Sequence, residues 1–549
     1  MQPRKPQSQL ATHDVFNQPP PFLDINLFDG DIAVSEAVTS HGGDVHKSRL
    51  SEFGQRTGSA EVQEWAVQAN RHTPVLKTHD RYGHRIDEVE FHPAYHNLMQ
   101  LGLSAGTSGG AWRVDEAGHV LHSALLFLLM QADGGVCCPI SMTYAAIPAL
   151  RANNAAASVW EPLLTEHEYD QRAVPISEKR AATMGMAMTE KQGGSDIRAN
   201  TTRAEKTEDG WRVTGHKWFC SAPMCDAFLT LAHTDEGLTC FQVPRWTPDG
   251  ERNALHVMRL KDKLGDKSNA SSEIEYHGAY ATMIGEPGRG VRTIIDMVQH
   301  TRLDCVVGSA GGMRVALANA LWHTSHRTAF QRKLIDQPAM QRTLADLILD
   351  SEAATALTFR LARAFDRAGE DEREAAFARL ATPVAKYWVC KRQPGFVYEA
   401  LECHGGAGFI EEGPMPRYYR TAPLNAVWEG SGNVIALDIL RAIGREKESF
   451  DALLDEINAI RGRNPTFDMA ADRLSKWSAP GELNEYNARG FAEHLGTLLS
   501  ATALAQSVPD QVFSGYCATR LDPDARAYGY GASSAAIDAD FLIARSMPR

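Results

Sequence analysis

Glycines, hydroxyl side chains, tryptophans and one glutamate cluster in three short stretches of the sequence. The first stretch, residues 184–196, reads MGMAMTEKQGGSD. Gly193 and Gly194 let the backbone come close to a ligand, and Thr189 and Ser195 place hydroxyls beside it. Such a loop could hold the edge of an aromatic ring and a pyrophosphate. An ordinary Gly-Gly turn has the same composition, so this stretch alone leaves both interpretations open.

The second stretch, residues 215–221, reads GHKWFCS and follows a predicted β-hairpin. A tryptophan at the end of a strand, here Trp218, can lie flat on an aromatic cofactor. The alternative is that Trp218 is an ordinary core residue.

The third stretch has two parts, ECHGGAGF at residues 402–409 and NAVWEGSGN at residues 425–433. Gly405, Gly406 and Gly408 suit close approach of the backbone to phosphates. Glu429 follows Trp428 in a short Gly/Ser loop, where partial loss of water could make its carboxylate a general base. The alternative for Glu429 is a solvated surface carboxylate.

The hydrophobic periodicity changes along the chain and predicts which elements carry these stretches. We predict an extended arm (1–35), a helical domain (36–183), a β-barrel domain (184–290), a helical bundle (291–445) and a further helical domain (446–549). Within the β domain, turn signals at Asp209-Gly210 and Glu236-Gly237 predict two hairpins. The Pro-, Gln- and Asn-rich arm is expected to lie on a partner subunit. One apolar stripe is predicted in the bundle, formed by Leu344, Leu347, Ile348, Ala354, Leu357 and Leu361.

Composition excludes several classes of protein. The 549 residues are 43% hydrophobic and 23% charged, which is typical of folded domains and rules out collagen-like, disordered and disulfide-stapled chains. The longest apolar run, residues 124–130, is far too short to span a bilayer, and the first residues lack an apolar signal core. Nine scattered cysteines without a CxxC pair predict reduced thiols, no metal site and a cytoplasmic protein without membrane partners.

Taken together, in this order and at these separations, the stretches resemble the acyl-CoA dehydrogenase family of flavoproteins. The resemblance covers residues 75–445 and rests on the strings MTEKQGGSD, GHKWF, KDKLGDKSNAS and WEGSGN. The Thr301-Arg302 pair also matches, as does the segment from Arg327 to Gln337, although the family usually has glycine where Gln331 stands.

The resemblance implies a mainly α, α+β fold: an amino-terminal helical domain, a central β-barrel and a four-helix bundle. FAD would lie between barrel and bundle, usually with help from a neighbouring subunit of a homotetramer. Cys220 and Ser221 stand where simple dehydrogenases commonly hold a threonine. The implied FAD-binding residues are Met186, Met188, Thr189, Gly193, Gly194, Ser195, Trp218, Phe219, Cys220, Ser221, Arg327, Gly405, Gly406, Trp428, Ser431 and Asn433.

The resemblance also implies a reaction, the α,β-dehydrogenation of an acyl-CoA thioester. Glu429 would be the catalytic base that takes the α-proton, and Arg302 would help to bind the substrate. Some members of the family carry the base one residue before the arginine that matches Arg302. Thr301 occupies that position here and cannot act as a base, so Glu429 is the base that the motifs offer.

The strings HDVFNQPPP, FHPAYHNLMQ and CPISMTYAAIP, with the extra block after residue 445, resemble the AidB-like, alkylation-response branch of the family. That branch is associated with weak turnover of short, branched acyl-CoA thioesters and with binding of double-stranded DNA. Residues 446–549 contain ten basic and fifteen acidic residues, a balance of −5 that does not support DNA binding. A second basic cluster, Arg259, Lys261, Lys263 and Lys267, is predicted to be a solvated hairpin or a local basic patch.

Three hypotheses therefore stay open from the sequence. The protein is a dehydrogenase, a DNA-binding protection protein with a mainly structural flavin, or a flavin oxidase or monooxygenase on the same fold. The carboxylate of Glu429 counts against the third, because chemistry with O₂ does not need a thioester base.

Overall fold

A computed structural model of the protein describes residues 16–477, 482–525 and 527–549. The amino-terminal part is mostly helical. Asp133 caps the amino end of its longest helix, α7, by accepting a hydrogen bond from Val136 N. The helices are α1 Ile32–Ser40, α2 Lys47–Thr57, α3 Ala60–Arg71, α4 Pro93–Ser104, α5 Gly110–Arg113, α6 Gly118–Met130, α7 Gly134–Leu150 and α8 Asn154–Leu164.

An antiparallel hairpin interrupts this region, where the sequence predicted helices throughout. Strand β1 Val75–His79 pairs with β2 Arg85–Glu90. The prediction was wrong here because one face of β1 is exposed and charged residues occupy both strands, so the alternation typical of a strand is weak.

The middle of the chain forms the predicted barrel. Its strands are β3 Met184–Ala187, β4 Arg203–Thr207, β5 Gly210–Ser221, β6 Ala227–Thr234, β7 Gly237–Pro244, β8 Leu255–Leu260 and β9 Ser271–Ile284. Strands β6, β4, β5, β9 and β7 form a closed ring because β7 pairs back with β6, while β3 and β8 flank it. Both predicted hairpins, β4–β5 and β6–β7, are confirmed.

Long helices form the bundle that follows: α9 Gly290–His326, α10 Pro338–Arg367, α11 Glu372–Glu402 and α13 Gly432–Arg445, with the short α12 Met415–Thr421 before the last. Two-residue strands, β10 Thr328–Ala329 and β11 Arg332–Lys333, connect α9 to α10. The predicted apolar stripe of α10 is buried, but α10 is buried on nearly all sides between residues 344 and 362. The apolar stripe alone underestimated how much of α10 is buried, because alanine, serine and threonine occupy the other faces of the helix.

The last hundred residues add helices to the same core. They are α14 Lys447–Asn458, α15 Pro465–Trp477, α16 Ala488–Ser507, α17 Asp510–Tyr516 and α18 Ala539–Ser546. Their apolar residues join one continuous cluster with those of the bundle. Arg520 pairs with Asp346 and Asp350 of α10, and Arg545 pairs with Glu352 of the same helix. These arginines therefore hold the added helices to the bundle.

The described part of the amino-terminal arm lies on its own chain. Asn17 exchanges hydrogen bonds with Thr328, and Trp322 donates one to Pro20 O. The described residues of the arm therefore contact the end of α9 of their own chain, and contact of the arm with a partner subunit stays a prediction. Residues 1–15 of the predicted arm lie outside the described residues.

None of the helices in the described ranges combines the length and apolar character needed to cross a bilayer. All nine cysteines are buried free thiols, as the sequence predicted. Within the same ranges, no group of His, Cys, Asp and Glu side chains is arranged to hold a metal ion.

Candidate active site

Glu429 lies in the loop before α13, at a backbone geometry that its residue type rarely adopts. Its φ is +55°, in the left-handed region, and that of Gly430 is +103°. A side chain in this region costs on the order of 1–3 kcal/mol, so the surrounding structure must hold the loop in place. Thr301 of α9 donates a hydrogen bond from Oγ1 to Glu429 Oε2 at 2.9 Å. The carboxylate of the predicted base thus lies beside Thr301, the position at which the resemblance implies a base in some other members of the family.

Three charged side chains fix this loop. Arg302 donates to the carbonyl oxygen of Glu429 at 3.2 Å and forms an ion pair with Asp438 of α13 at 2.7 Å. Lys386 of α11 is buried and donates to Asn425 O at 3.0 Å and to Gly430 O at 2.7 Å. Arg302 was predicted to bind substrate, and the structure uses its guanidinium to hold the loop that carries Glu429.

The ionisation of Glu429 reflects these surroundings. Burial raises the pKa of its carboxyl, and the Thr301 hydroxyl with the positive charges of Arg302 and Lys386 offsets part of that rise. The net shift is upward. A carboxylate with a raised pKa is a stronger base, which is the property that removal of a weakly acidic proton requires.

A buried ion pair connects the first two sequence stretches. Glu190 of the MTEKQGGSD loop and Lys217 of the GHKWF strand are fully buried, with Nζ and Oε1 2.9 Å apart. Lys217 also donates to Leu231 O, and Glu190 accepts hydrogen bonds from Thr201 and Thr202. Sequence analysis missed this pair, although both residues stand inside the quoted motifs, because a glutamate and a lysine in a strand region look like solvated residues.

The two adjacent glycines of the loop between β3 and β4 have different surroundings. A side chain on Gly193, whose φ is +141°, would meet nothing within 4 Å, whereas a Cβ on Gly194 would collide with the Thr189 side chain. Thr189 is half-buried and Ser195 is exposed. Met186 and Met188 are half-buried and pack on the barrel core. Because Gly193 leaves its backbone open and Thr189 and Ser195 supply hydroxyls nearby, the residues present suit a flavin nucleotide.

Trp218 lies at the edge of this loop, beside a cation. Its backbone N–H donates to Thr189 O at 2.8 Å, which joins the two stretches directly. The Nζ atom of Lys261 lies 3.3 Å from the centre of the indole ring, and Glu273 binds both Lys261 and Arg259. Phe219, the next residue, is 52% exposed. Trp218 is therefore a half-buried ring at the surface of the barrel and not a core residue.

Three of the four residues of the predicted basic cluster of the β domain have polar partners, although the Arg259 side chain is 61% exposed. Glu273 neutralises two of its members, and Lys263 is half-buried and donates to Asn269 O and Ser271 Oγ. These side chains contact residues of the neighbouring strand β9, which the local sequence does not reveal.

Cys138 of α7 lies where the barrel strand and the Glu429 loop converge. Burial raises the pKa of its thiol to about 12; a hydrogen bond with Ser221 lowers it, and the charge of Glu429 raises it. Both groups therefore act on one side chain. Of the two residues at the predicted threonine position, Cys220 is fully buried in the barrel core, whereas Ser221 is half-buried and contacts Ser271 Oγ at 3.2 Å.

Arg327, Gly405 and Gly406 lie far from these residues within one chain. Arg327 directly follows α9, 26 residues beyond Thr301, which is about 39 Å along a helix that rises 1.5 Å per residue. The rings of His323 and His404 lie 4.7 Å apart, so Gly405 is at the same distant end. Arg327 donates to Asn17 O at 2.6 Å. Within one protomer, the predicted cofactor-binding residues therefore lie in two groups that are far apart.

The remaining predicted residues surround the Glu429 loop. Trp428 packs against the barrel core and donates from Nε1 to Asn425 Oδ1 at 2.8 Å. Ser431 and Asn433 are exposed at the beginning of α13, and Arg489 of α16 lies 3.4 Å from Asn433 Oδ1. The carboxy-terminal helices thus reach the edge of the site.

Three family models match consecutive parts of the chain. Residues 17–171 match the amino-terminal domain of the adaptive response protein AidB. Residues 185–279 match the middle domain of acyl-CoA dehydrogenases, and residues 288–444 match their carboxy-terminal domain.

Whole-chain relatives agree with these matches. The chain is 45% identical to the AidB protein of Escherichia coli (strain K12), over 85% of this chain and 86% of the relative. It is 33% identical to acyl-CoA dehydrogenase family member 11 of Caenorhabditis elegans, over 76% and 70%. The solved structure of Caenorhabditis elegans ACDH-11 in complex with C11-CoA matches with a TM-score of 0.84 at 27% identity, over 94% of this chain and 95% of that one. The apo form of Bd2924 matches with a TM-score of 0.82 at 28% identity, over 90% and 100%. The chain therefore belongs to the FAD-binding acyl-CoA dehydrogenase family, in its AidB-like branch.

Proposed function

We propose that the protein catalyses the FAD-dependent α,β-dehydrogenation of an acyl-CoA thioester, with Glu429 as the base. The observation that carries this proposal is the Glu429 carboxylate itself. It is held by Thr301 and Arg302 on a strained loop, and burial raises its pKa. A purely structural carboxylate would be stabilised more by several hydrogen-bond donors than by the single donor that Thr301 provides.

The residues divide the chemical work among them. Glu429 takes the α-proton of the thioester, and its desolvation makes that transfer less unfavourable. Arg302, Asp438 and Lys386 keep the loop in position while the charge of Glu429 changes. FAD, when bound, supplies the acceptor for the hydride from the β-carbon.

The loop around Gly193 and Gly194, with Thr189, Trp218 and Ser221, would hold the flavin end of FAD. Arg327, Gly405 and Gly406, about 39 Å from Thr301 along α9, would hold the diphosphate of a cofactor bound mainly to a second copy of the chain. This division supports a homo-oligomer, and we propose the homotetramer that the family resemblance implies.

The substrate is proposed to be a short or branched acyl-CoA thioester that turns over slowly. Support for the CoA ester comes from the ACDH-11 relative, whose solved structure contains C11-CoA. The test is anaerobic titration of the yellow holoenzyme with butyryl-, isovaleryl-, octanoyl- and undecanoyl-CoA while the flavin spectrum is recorded. Bleaching by butyryl- or isovaleryl-CoA supports the proposal, whereas bleaching by the longer esters alone supports a dehydrogenase but contradicts the short or branched substrate. A flavin that none of them reduces contradicts it, and fast reoxidation in air would favour the oxidase alternative instead.

A second candidate function is binding of double-stranded DNA in the response to alkylation damage. The match of residues 17–171 to an adaptive response protein favours it. The carboxy-terminal charges do not, because Arg461, Arg463, Arg520 and Arg545 each pair with a carboxylate. Arg526 and the side chain of Lys476 lie outside the described residues.

Duplex binding measured against salt concentration tests this second function. A DNA-binding protein gives a steep negative slope of log affinity against log salt, since bound phosphates release counterions. Absence of binding at low salt would remove this candidate and leave the dehydrogenase proposal intact.

A further inference from the structure

The hydroxyl of Thr301 lies between two acceptors. Oγ1 is 2.9 Å from Glu429 Oε2 and 3.1 Å from the backbone oxygen of Val298, one turn earlier in α9. A hydroxyl has one proton and can donate to one of these oxygens at a time. The direction of this hydrogen bond therefore depends on which acceptor is the more negative.

We propose that Thr301 is a positioning residue that binds Glu429 Oε2 and leaves Oε1 as the atom that takes the substrate proton. This inference rests on the proposed function. In the described part of the chain, the Thr301 hydroxyl is the one hydrogen-bond donor to this carboxylate. A single donor fixes one oxygen and the plane of the group, and it leaves the lone pairs of the other oxygen available.

The second acceptor explains how the Thr301 hydroxyl stays hydrogen-bonded when the charge of Glu429 changes. While Glu429 is ionised, the Thr301 proton points to Oε2, since a hydrogen bond to a charged oxygen is the stronger one. When a proton moves from the α-carbon of the substrate to Oε1, the carboxyl becomes neutral. The hydroxyl can then rotate to Val298 O without movement of any heavy atom. The threonine proton itself is never transferred, and both charge states keep a satisfied hydroxyl.

The other groups that face Glu429 do not donate a hydrogen bond to its carboxylate. Arg302 of α9 and Lys386 of α11 are positive, and they donate to backbone oxygens and, for Arg302, to Asp438. Cys138 of α7 and Cys305 of α9 have thiols whose pKa burial raises, Cys138 to about 12, so they stay neutral across the range in which a carboxyl titrates. A change in the titration of Glu429 on mutation of Thr301 therefore reports the hydroxyl.

The test is an infrared pH titration of the holoenzyme, with the signal of Glu429 assigned by its loss in Glu429→Gln. Thr301→Val keeps the shape of the side chain but removes the donor. We expect the titration midpoint to rise by about one pH unit, because a hydrogen bond to a charged group stabilises the ionised form. Thr301→Ser restores the hydroxyl and should return the midpoint to the wild-type value. Thr301→Ala tests the same loss if the valine variant does not fold.

Thr324 provides a matched control on the same helix. Its hydroxyl also donates back to the carbonyl oxygens of the preceding turn, and it is buried. Thr324→Val should leave the midpoint unchanged. The inference is wrong if Thr301→Val and Thr301→Ala titrate like wild type, or if Thr301→Ser shifts as far as they do.

Kinetics separates this inference from the proposed function. In anaerobic mixing with isovaleryl-CoA, Thr301→Val should move the acid limb of the flavin-reduction profile upward by the same amount and lower the plateau about tenfold. If no ester reduces the wild-type flavin, the proposed function fails while the infrared titration still decides the role of Thr301. An unshifted acid limb in an active Thr301→Val enzyme contradicts the inference alone.

Discussion

Two glutamates beside the predicted flavin site differ in nearly every contact. Glu190 has no exposed surface, pairs with Lys217, and accepts further hydrogen bonds from Gln192, Thr201 and Thr202. Glu429 keeps some exposure, accepts one hydrogen bond from Thr301 and stands on left-handed backbone.

The pKa values of the two carboxyls shift in opposite directions. Burial raises that of Glu190, but the hydrogen bonds from Thr201 and Thr202 and the charge of Lys217 outweigh burial and hold it well below its ordinary value. Burial raises that of Glu429, and the weaker contacts do not cancel the rise. Different hydrogen-bond partners and charges thus make one glutamate a permanently charged structural group and the other an available base.

The largest expected effect comes from breaking the Glu190–Lys217 pair. Glu190→Gln leaves the Lys217 ammonium buried without a counter-charge, which should lower the free energy of unfolding by about 3–5 kcal/mol and weaken retention of FAD. Urea unfolding and the protein-to-flavin absorbance ratio measure these two effects.

The exposed Asp209–Arg212 pair of the same barrel is the matched control. Asp209→Asn should cost less than about 1 kcal/mol, because solvent screens exposed pairs. A Glu190→Gln protein as stable as Asp209→Asn would show that the buried pair is not structural.

A smaller effect is expected at the loop that carries Glu429. Asp438→Asn removes the partner of Arg302, whose guanidinium also holds the Glu429 carbonyl oxygen. We expect flavin reduction by acyl-CoA to slow about tenfold with little change in FAD content, because the base is less well oriented. Stopped-flow absorbance under anaerobic conditions measures the rate. The exposed Arg289–Glu286 pair provides the control variant Glu286→Gln.

The smallest effect concerns stability and pH. The folded state holds the Glu429 proton more tightly than the unfolded state, so ionisation of Glu429 costs stability as pH rises above about 4.5. Glu429→Gln should therefore melt about 1–2 °C higher than wild type at pH 7, and this gain should vanish near pH 4.

The contribution of Glu190 to stability changes with pH in the opposite direction. Its depressed pKa contributes stability that is present above about pH 4.5 and is lost as pH falls further. The deficit of Glu190→Gln should therefore shrink in acid. Thermal scans of both variants from about pH 2 to pH 8 cover both windows and measure the two slopes, and slopes of equal sign would contradict the assignment of roles.

The sequence predicted the barrel well because its hairpins carry local signals. Asp209-Gly210 and Glu236-Gly237 form turns that glycine favours, and the strands beside them alternate. The hairpin of β1 and β2 has charged residues on both strands, and its alternation was too weak to detect.

The sequence does not show which distant residues contact a charged side chain. The partners of Arg259 and Lys261 lie on a neighbouring strand, and the contact of Arg327 with Asn17 joins residues 310 positions apart. Motifs identified the position of Glu429, but its strained backbone and its contact with Thr301 depend on how α9 and α13 pack. Composition cannot encode that arrangement.

The most direct test of the central claim is a single-turnover comparison of wild type with Glu429→Gln. Both proteins are purified yellow, matched for FAD content and mixed anaerobically with the ester that bleaches wild type best. If Glu429 is the base, the variant keeps its colour and its flavin is reduced at least about a hundredfold more slowly. Reduction at the wild-type rate would contradict this assignment and require a different proton acceptor.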